Sequence, residues 1–278
     1  MKDVLLITID SARFDDVIWM ASRNGTALNR IKSQGIVFLN AIAPGPSTTP
    51  SLIAFLSSTY PLDYAGYYHV SRGRIMLPEV LRELGYICVG IQSNYFLSAK
   101  YGWARGFDIY LEEYPVFRGR EKVYQTVRSR GFKLLQRTFG KSIKKLLPKI
   151  VQLVPYFRRT DAQKPICRAG VLFKVALKIF EEVTDKPKFV WLHLMDVHAP
   201  FLPPMNYIRE FLGNLRYDLV LKANYKWIFQ PNELSDYDVR LLRNLYRLEL
   251  MYLDEELRHF LDCLCLLYTS DAADDGES

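Results

Sequence analysis

The sequence is poor in cysteine and lacks long apolar runs, and these two absences exclude several classes of protein. Only four of the 278 residues are cysteine and none has CxxC spacing, so neither a disulfide framework nor a cysteine zinc site is expected. No window reaches about eighteen uninterrupted apolar residues, and the first residues, MKDVLLITID, lack the apolar core of a signal peptide. We therefore expect reduced thiols and a cytoplasmic location.

The composition is otherwise that of a globular protein with a sizeable core. Hydrophobic residues make up 49% and aromatic residues 14% of the chain, which excludes a disordered or low-complexity chain. The length suits one large domain or two small ones. The composition therefore leaves an α/β or α+β protein as the expected fold class.

Positive charge is concentrated in one stretch of sequence, residues 115–170. The chain has 37 Lys and Arg against 30 Asp and Glu, and this stretch holds fifteen of the former and two of the latter, so the remainder is net acidic. Its apolar pairs predict amphipathic basic helices, which would form either a solvated excursion from the sheet or a surface that contacts an anionic membrane or guides an anionic substrate. No nucleic-acid-binding motif accompanies the charge, so no nucleic-acid partner is predicted.

Short apolar runs alternate with helical patterns along the chain, which predicts a mostly parallel sheet covered by helices. The predicted strands are residues 4–9, 36–39, 86–91 and 188–193. The predicted helices are residues 27–33, 51–58, 77–84, 166–180 and 239–264.

Polar residues near three strand or helix ends are candidates for a site, because ligands collect at the carboxyl edge of open α/β sheets. Asp10 follows the first strand directly and could bind a hard divalent cation or simply cap a turn. Thr48 lies just before a predicted helix, where unpaired N–H groups favour phosphate or sulfate, although ordinary capping also explains it. His193 and His198 flank a carboxylate at the end of the last predicted strand. These histidines could contact an ester oxygen or protonate a leaving group. A single histidine at a strand end is more often structural.

Together these segments resemble the N-terminal part of the sulfatase branch of the alkaline phosphatase superfamily. The resemblance runs in family order from residue 3 to about residue 265. The matching segments are residues 4–13 (VLLITIDSAR), 35–41 (GIVFLNA), 47–61 (STTPSLIAFLSSTYP), 84–86 (LGY), 105–108 (RGFD) and 191–200 (WLHLMDVHAP). The last of them matches the family's His-x-x-Asp-x-His-x-Pro pattern. The resemblance implies an alkaline-phosphatase-like α/β sandwich with a mostly parallel central sheet covered by helices.

The resemblance also implies a metal-dependent hydrolase that acts on sulfuric or phosphoric esters, either small molecules or groups linked to a polymer. Asp10 is implied as a metal ligand, and Thr48 occupies the nucleophile position and would also contact the metal. His198 is implied as a contact to a substrate oxygen, with His193 beside it. The implied cofactor is a divalent ion: calcium for a sulfate ester, or manganese, magnesium or zinc for a phosphate ester.

Several positions depart from the family pattern. Formylglycine sulfatases carry Cys or Ser at the nucleophile position and Arg four residues later, where this chain has Thr48 and Leu52. Because threonine cannot become formylglycine, the site resembles the family's phosphoester hydrolases and phosphotransferases more closely. Ser47 is the alternative nucleophile, and Ile9 stands where many sulfatases have a second Asp.

The sequence also departs from the family beyond residue 264. The family's second metal-binding strand carries Ser-Asp-His-Gly, whereas here Ser270 and Asp271 are followed by Ala272, with no apolar strand before them. We therefore expect an incomplete catalytic domain at residues 1–264, with a basic helical insertion at about 115–165, followed by a non-native tail at residues 265–278. The distal metal ligands would then be missing from this sequence.

Two alternatives to a hydrolase follow from the same residues. One is a phosphotransferase of the same superfamily. The other is a non-catalytic, degenerate domain whose basic stretch at residues 115–170 binds an anionic membrane or polymer, which would make the protein a peripheral membrane protein.

Overall fold

The structure is a computed structural model that describes residues 1–112, 115–118, 121–124, 167–183 and 185–274. The basic stretch at residues 115–170 lies mostly outside this range. Its amphipathic helices and its contact with a membrane therefore stay predictions.

Four parallel strands form the central sheet, and two short antiparallel strands form a separate hairpin. In chain order the strands are β1 (Val4–Ile9), β2 (Ile87–Gln92), β3 (Ile109–Glu112), β4 (Pro115–Arg118), β5 (Glu121–Tyr124) and β6 (Lys188–Leu194). The order across the sheet is β1-β6-β2-β3, and β4 pairs with β5. Because β6 lies between β1 and β2 and all three are parallel, their carboxyl ends meet at one edge of the sheet.

Eight helices occupy the described part of the chain. They are α1 (Phe14–Ala21), α2 (Ala27–Gln34), α3 (Thr48–Ser57), α4 (Leu77–Glu83), α5 (Ala169–Glu182), α6 (Met205–Leu212), α7 (Tyr217–Phe229) and α8 (Asp236–Asp274). Short 3-10 turns lie at Tyr95–Leu97, Ala99–Tyr101 and Pro231–Glu233.

Helices pack on both faces of the sheet, which is why β6 is buried along its whole length. On one face α5 and α8 pack together through Phe173 and Phe260, whose rings stack with centroids 4.6 Å apart. On the other face Ile53 of α3 lies in the same apolar cluster as Phe189 and Trp191 of β6. Burying side chains of this size contributes about 1.5–3 kcal/mol each, so β6 is a rigid support for the residues that follow it.

The predicted α/β class is confirmed, and three of the four predicted strands are present with shifts of about one residue at their ends. The predicted strand at residues 36–39 is wrong: the segment is irregular, and the side chains of Ile36 and Phe38 are 84% and 78% exposed. β-Branched and aromatic residues favour a strand only where a neighbouring strand supplies hydrogen-bond partners. No strand in the described ranges pairs with this segment.

The predicted insertion at about 115–165 begins differently from our expectation of helices. Its first described residues form the hairpin of β4 and β5, whose register pairs Val116 with Val123. Valine and the aromatic residues beside it favour paired strands over helices, because their side chains pack well on a pleated surface.

Helix α8 extends the predicted 239–264 helix at both ends, from Asp236 to Asp274. That residues 265–278 are a non-native tail stays a prediction, and residues 275–278 lie outside the described ranges. None of the helices in the described ranges is both long enough and apolar enough to span a membrane.

Candidate active site

The carboxyl edge of the sheet brings together residues that are far apart in the sequence. Asp10 directly follows β1, and its backbone N–H donates to Leu194 O at 2.9 Å, which ties it to the end of β6. Thr48 begins α3 and Asn94 follows β2 by two residues. Both of their side chains, and that of His193, approach Asp10.

Three side-chain contacts of Asp10 converge on one of its carboxylate oxygens, Oδ2. Thr48 Oγ1 donates to Asp10 Oδ2 at 2.8 Å, His193 Nε2 lies 3.3 Å from the same oxygen, and Asn94 Nδ2 lies 3.4 Å from it. Burial disfavours the charged carboxylate, but the hydrogen bonds from His193 and Thr48 and the electrostatic influence of His193 and His198 outweigh it and lower the pKa of Asp10 to about 2. Asp10 is therefore an anion at neutral pH.

Thr48 lies in the first turn of α3, where backbone N–H groups have no partner within the helix. The helix begins at Thr48 with Ser47 as its N-cap residue, earlier than the sequence predicted, and the first backbone bond runs from Ser51 N to Ser47 O at 3.2 Å. The hydroxyl of Thr48 thus faces a carboxylate beside the positive end of a helix dipole. Ser47 is exposed and its side chain makes no capping bond.

Close packing of the loop before α3 fixes the approach to Thr48. A Cβ added to Gly45 would lie 2.8 Å from Cβ of Pro50 and 3.0 Å from the backbone N of Ser51. The Ser51 hydroxyl also donates to Gly45 O at 2.7 Å. Only glycine fits this position without moving the start of the helix.

The two histidines have different environments. His193 lies on β6 and is 1% exposed, with Nδ1 at 2.9 Å from Thr8 Oγ1. His198 lies in the loop beyond β6, is partly exposed, and has Nδ1 at 2.7 Å from Ala199 O. A carbonyl oxygen only accepts, so Nδ1 of His198 carries the hydrogen and Nε2 is directed elsewhere.

The carboxylate between the two histidines supports the fold. Asp196 is fully buried, and its two oxygens accept from Ala169 N, at 3.2 Å and 3.0 Å. Ala169 is the first residue of α5, so a carboxylate here satisfies an open N–H group and complements the helix dipole. Asp196 thereby fixes the loop that carries His198.

Sequence reasoning missed Asn94. The side chain is buried, its Oδ1 accepts from Phe96 N at 2.9 Å, and its Nδ2 is directed at Asp10. The available signal was its position two residues past an apolar strand, the same kind of position that singled out Asp10.

The described residues supply part of a metal site. Asp10 and Thr48 offer two oxygen ligands, one of them a permanent anion, which suits a hard divalent cation. Calcium and magnesium take six or more oxygen ligands, and the described ranges contain no cluster of three or more His, Cys, Asp or Glu that could hold a metal ion.

The fold and the site define an α/β protein with an ionised strand-end carboxylate facing a threonine at a helix N-terminus. A family model, Sulfatase, matches residues 2–271, and the chain belongs to this family. No curated protein sequence matches the chain significantly.

Solved structures share the fold at low sequence identity. The phosphonate monoester hydrolase of Agrobacterium radiobacter is 14% identical with a TM-score of 0.62, over 96% of this chain and 60% of that one. The C-terminal periplasmic domain of EcEptC from Escherichia coli, solved with Zn, is 14% identical with a TM-score of 0.56, over 95% and 59%. The lipoteichoic acid synthase LtaP from Listeria monocytogenes is 14% identical with a TM-score of 0.54, over 96% and 52%. The chain thus spans about half to three-fifths of the length of these proteins.

Proposed function

We propose that this chain carries the nucleophile half of a metal-dependent hydrolase that acts on sulfuric or phosphoric esters, with Thr48 as the nucleophile. The observation that carries the proposal is the 2.8 Å hydrogen bond from Thr48 Oγ1 to the ionised Asp10, at the N-terminus of α3. A nucleophilic hydroxyl needs a neighbouring group that orients it and favours loss of its proton. The open N–H groups of the helix favour the anionic group under attack.

The other residues of the site have roles that follow from their donors. Asn94 Nδ2 is an amide donor beside Asp10, and in this proposal it would donate to a non-bridging oxygen of the bound ester. His198, with Nδ1 committed to Ala199 O, has Nε2 available for a substrate oxygen. Donation from Nε2 requires the imidazolium form, which adds a positive charge opposite an anionic ester.

Asp10 and Thr48 would hold a divalent cation as two of its ligands, and the cation would neutralise developing negative charge and lower the pKa of the hydroxyl. The proposed cation is calcium if the ester is a sulfate, and manganese, magnesium or zinc if it is a phosphate. Its remaining ligands are not among the described residues.

Thr48 also bears on the choice of ester. Because threonine cannot become formylglycine, a covalent phosphothreonine is the consistent route, and a phosphate or phosphonate ester is favoured over a sulfate ester. A transferase is the second candidate, since the same intermediate can pass its phosphoryl group to an alcohol instead of water. The similar structures include a phosphonate monoester hydrolase and a lipoteichoic acid synthase.

Turnover of small aryl esters tests the proposal. The 278-residue protein is assayed with an aryl phosphate, an aryl phosphonate and an aryl sulfate in the presence of Ca²⁺, Mn²⁺, Mg²⁺ or Zn²⁺. We expect cation-dependent release of the phenol that Thr48→Ala abolishes and Ser47→Ala, the matched change at the exposed neighbour, preserves. Equal activity of the protein and Thr48→Ala, or turnover that Ser47→Ala abolishes, contradicts the assignment of Thr48. Absence of turnover under every cation contradicts catalysis by this chain alone and agrees with the expected lack of distal metal ligands.

The non-catalytic alternative makes a different prediction. A degenerate domain would sediment with anionic vesicles through the basic stretch at residues 115–170 and show no Thr48-dependent turnover. Vesicle binding by protein that lacks this stretch would contradict that alternative.

A further inference from the structure

A group of arginines lies beside the candidate active site, on the loop after β1 and on helix α8. Arg13 follows Asp10 by three residues, so their Cα atoms are at most about 11 Å apart. Tyr246 of α8 holds this loop, because its hydroxyl accepts from Arg13 N at 2.7 Å and donates to Ser11 O at 3.2 Å. Helix α8 therefore meets the chain next to the proposed catalytic residues.

Three arginines, here called the arginine cluster (Arg13, Arg243 and Arg247), surround the carboxylate of Asp16 in α1. Arg247 Nε donates to Asp16 Oδ1 at 2.8 Å. Arg13 Nε lies 3.3 Å from Oδ2 of the same carboxylate, and Arg243 Nη2 lies 3.8 Å from Oδ1. Asp16 is fully buried, whereas the side chains of Arg13 and Arg243 are 60% and 54% exposed. One guanidinium suffices to neutralise Asp16, so the cluster carries more positive charge than the buried carboxylate needs.

The charges around the cluster leave this excess in place. Among the described residues, the other carboxylate in contact with the cluster is that of Asp15, 3.8 Å from Arg13. A fourth guanidinium, that of Arg23, shares the ring of Trp19 with Arg247: their Cζ atoms lie 5.0 Å and 4.8 Å from its centroid. Four arginines thus lie with two carboxylates, although the chain outside the basic stretch is net acidic.

The cluster also has unused hydrogen-bond donors. Arg13 and Arg247 approach Asp16 through Nε, and among the described residues their terminal Nη groups make no hydrogen bond. A guanidinium presents five N–H donors in a planar fork that matches two oxygens of a phosphate group. Exposed donors and excess positive charge at one place favour an anionic ligand with several oxygens.

We propose that the arginine cluster binds a second phosphate group of the substrate, carried by the same molecule as the ester that Thr48 attacks. The substrate class is then a molecule with at least two phosphate groups. The proposal rests on the proposed function for the identity of that molecule. Anion binding by the cluster is a property of the folded chain and is measured without turnover.

Titration with inorganic pyrophosphate, followed by tryptophan fluorescence, tests anion binding in the 278-residue protein. Arg247 lies against the ring of Trp19, so an anion bound to the cluster should change the emission of this residue. Sodium chloride at equal ionic strength controls for screening. We expect a saturable change that is lost in Trp19→Phe. Absence of a saturable change, or the same change in Trp19→Phe, overturns the proposal.

Arg243→Gln separates the cluster from the other basic residues of the chain. The contact of the Arg243 side chain is the 3.8 Å approach to Asp16, so the variant should fold. Loss of a charge-assisted hydrogen bond to the anion should weaken pyrophosphate binding about tenfold. The matched control, Arg216→Gln, removes an exposed arginine whose partner Asp218 is also exposed, and it should leave the affinity unchanged. Equal affinities of the two variants would overturn the proposal.

Kinetics test whether the bound anion belongs to the substrate. An aryl phosphate is compared with an aryl phosphate that carries a second phosphate group on a flexible chain. Arg243→Gln should raise KM for the two-phosphate ester about tenfold more than KM for the simple ester, because it removes binding that only the first of them uses. Where turnover is absent, the dissociation constants of the two esters take the place of KM.

Equal changes for the two esters would show that the cluster does not bind the substrate and would overturn the proposal. If Thr48→Ala shows that the proposed function is wrong, the pyrophosphate titration still decides whether the cluster binds anions.

Discussion

Replacing Glu249 by glutamine tests how the loop that carries His198 is held. Glu249 is buried and accepts from Arg168 at 3.1 Å and from the backbone N–H of Leu202 at 2.8 Å. Arg168 in turn donates to Leu202 O at 2.6 Å. The ion pair thus forms hydrogen bonds with both the backbone N–H and the backbone carbonyl oxygen of Leu202, which is four residues beyond His198.

Glutamine retains an acceptor for Leu202 but leaves the buried guanidinium of Arg168 without its counter-charge. Breaking a buried ion pair from one side costs about 3–5 kcal/mol. We expect the lower end, about 3 kcal/mol, because Arg168 retains its bond to Leu202 O and its position over the ring of Tyr252. If the free energy of unfolding falls by about 3 kcal/mol per molar of urea, the loss of about 3 kcal/mol lowers the urea concentration at the unfolding midpoint by about 1 M.

Urea unfolding at 25 °C, followed by circular dichroism, measures this change. The matched control is Asp218→Asn, which removes the charge from an exposed pair with Arg216 (N–O distance 2.7 Å) and should shift the midpoint far less, because solvent screens an exposed pair. If Glu249→Gln and Asp218→Asn shift the midpoint equally, the pair does not support the loop in the way described.

Two further substitutions test local features of the site. Asp10→Asn should make the free energy of unfolding less sensitive to acid. The pKa of Asp10 falls from 3.8 to about 2 on folding, so the ionised carboxylate stabilises the folded protein above pH 4. About 2 kcal/mol of this stabilisation is lost as the pH falls from about 4 to below 2. Unfolding free energies of both proteins between pH 6 and 2 check this, and parallel curves would refute it. Gly45→Ala should destabilise the folded protein by about 1–3 kcal/mol, because the added Cβ would lie 2.8 Å from Cβ of Pro50. Gly73→Ala is the matched control and should be nearly neutral, because no atom lies nearer than 3.4 Å to its added Cβ. Equal changes in melting temperature for the two variants would contradict the packing argument.

Much of the fold could be predicted from local patterns. The apolar runs that became β2 and β6 are buried along their whole length, and such runs are typical of parallel sheets. The run that became β1 forms one edge of the sheet and is only half-buried. Residues 36–39 are also apolar and β-branched or aromatic in part, but they form no strand. A strand needs a neighbouring strand to pair with, and the local sequence does not show whether one is present.

The site could be predicted only in part. Asp10 and Thr48 were identified by their positions at element ends, and the structure joins them at 2.8 Å. Asn94 was missed because its role depends on the order of β2, β6 and β1 across the sheet, which no spacing in the sequence reveals. Asp196, the carboxylate between the two histidines, accepts a hydrogen bond from the first residue of α5, a contact that the local sequence pattern does not reveal.

Covalent trapping shows directly whether Thr48 is the nucleophile. The protein is mixed with an aryl phosphate and a divalent cation, quenched in acid and mapped by peptide mass spectrometry. We predict one phosphoryl group on Thr48, absent in Thr48→Ala and present in Ser47→Ala. A phosphoryl group on Ser47, or turnover with no label on Thr48, would contradict the claim.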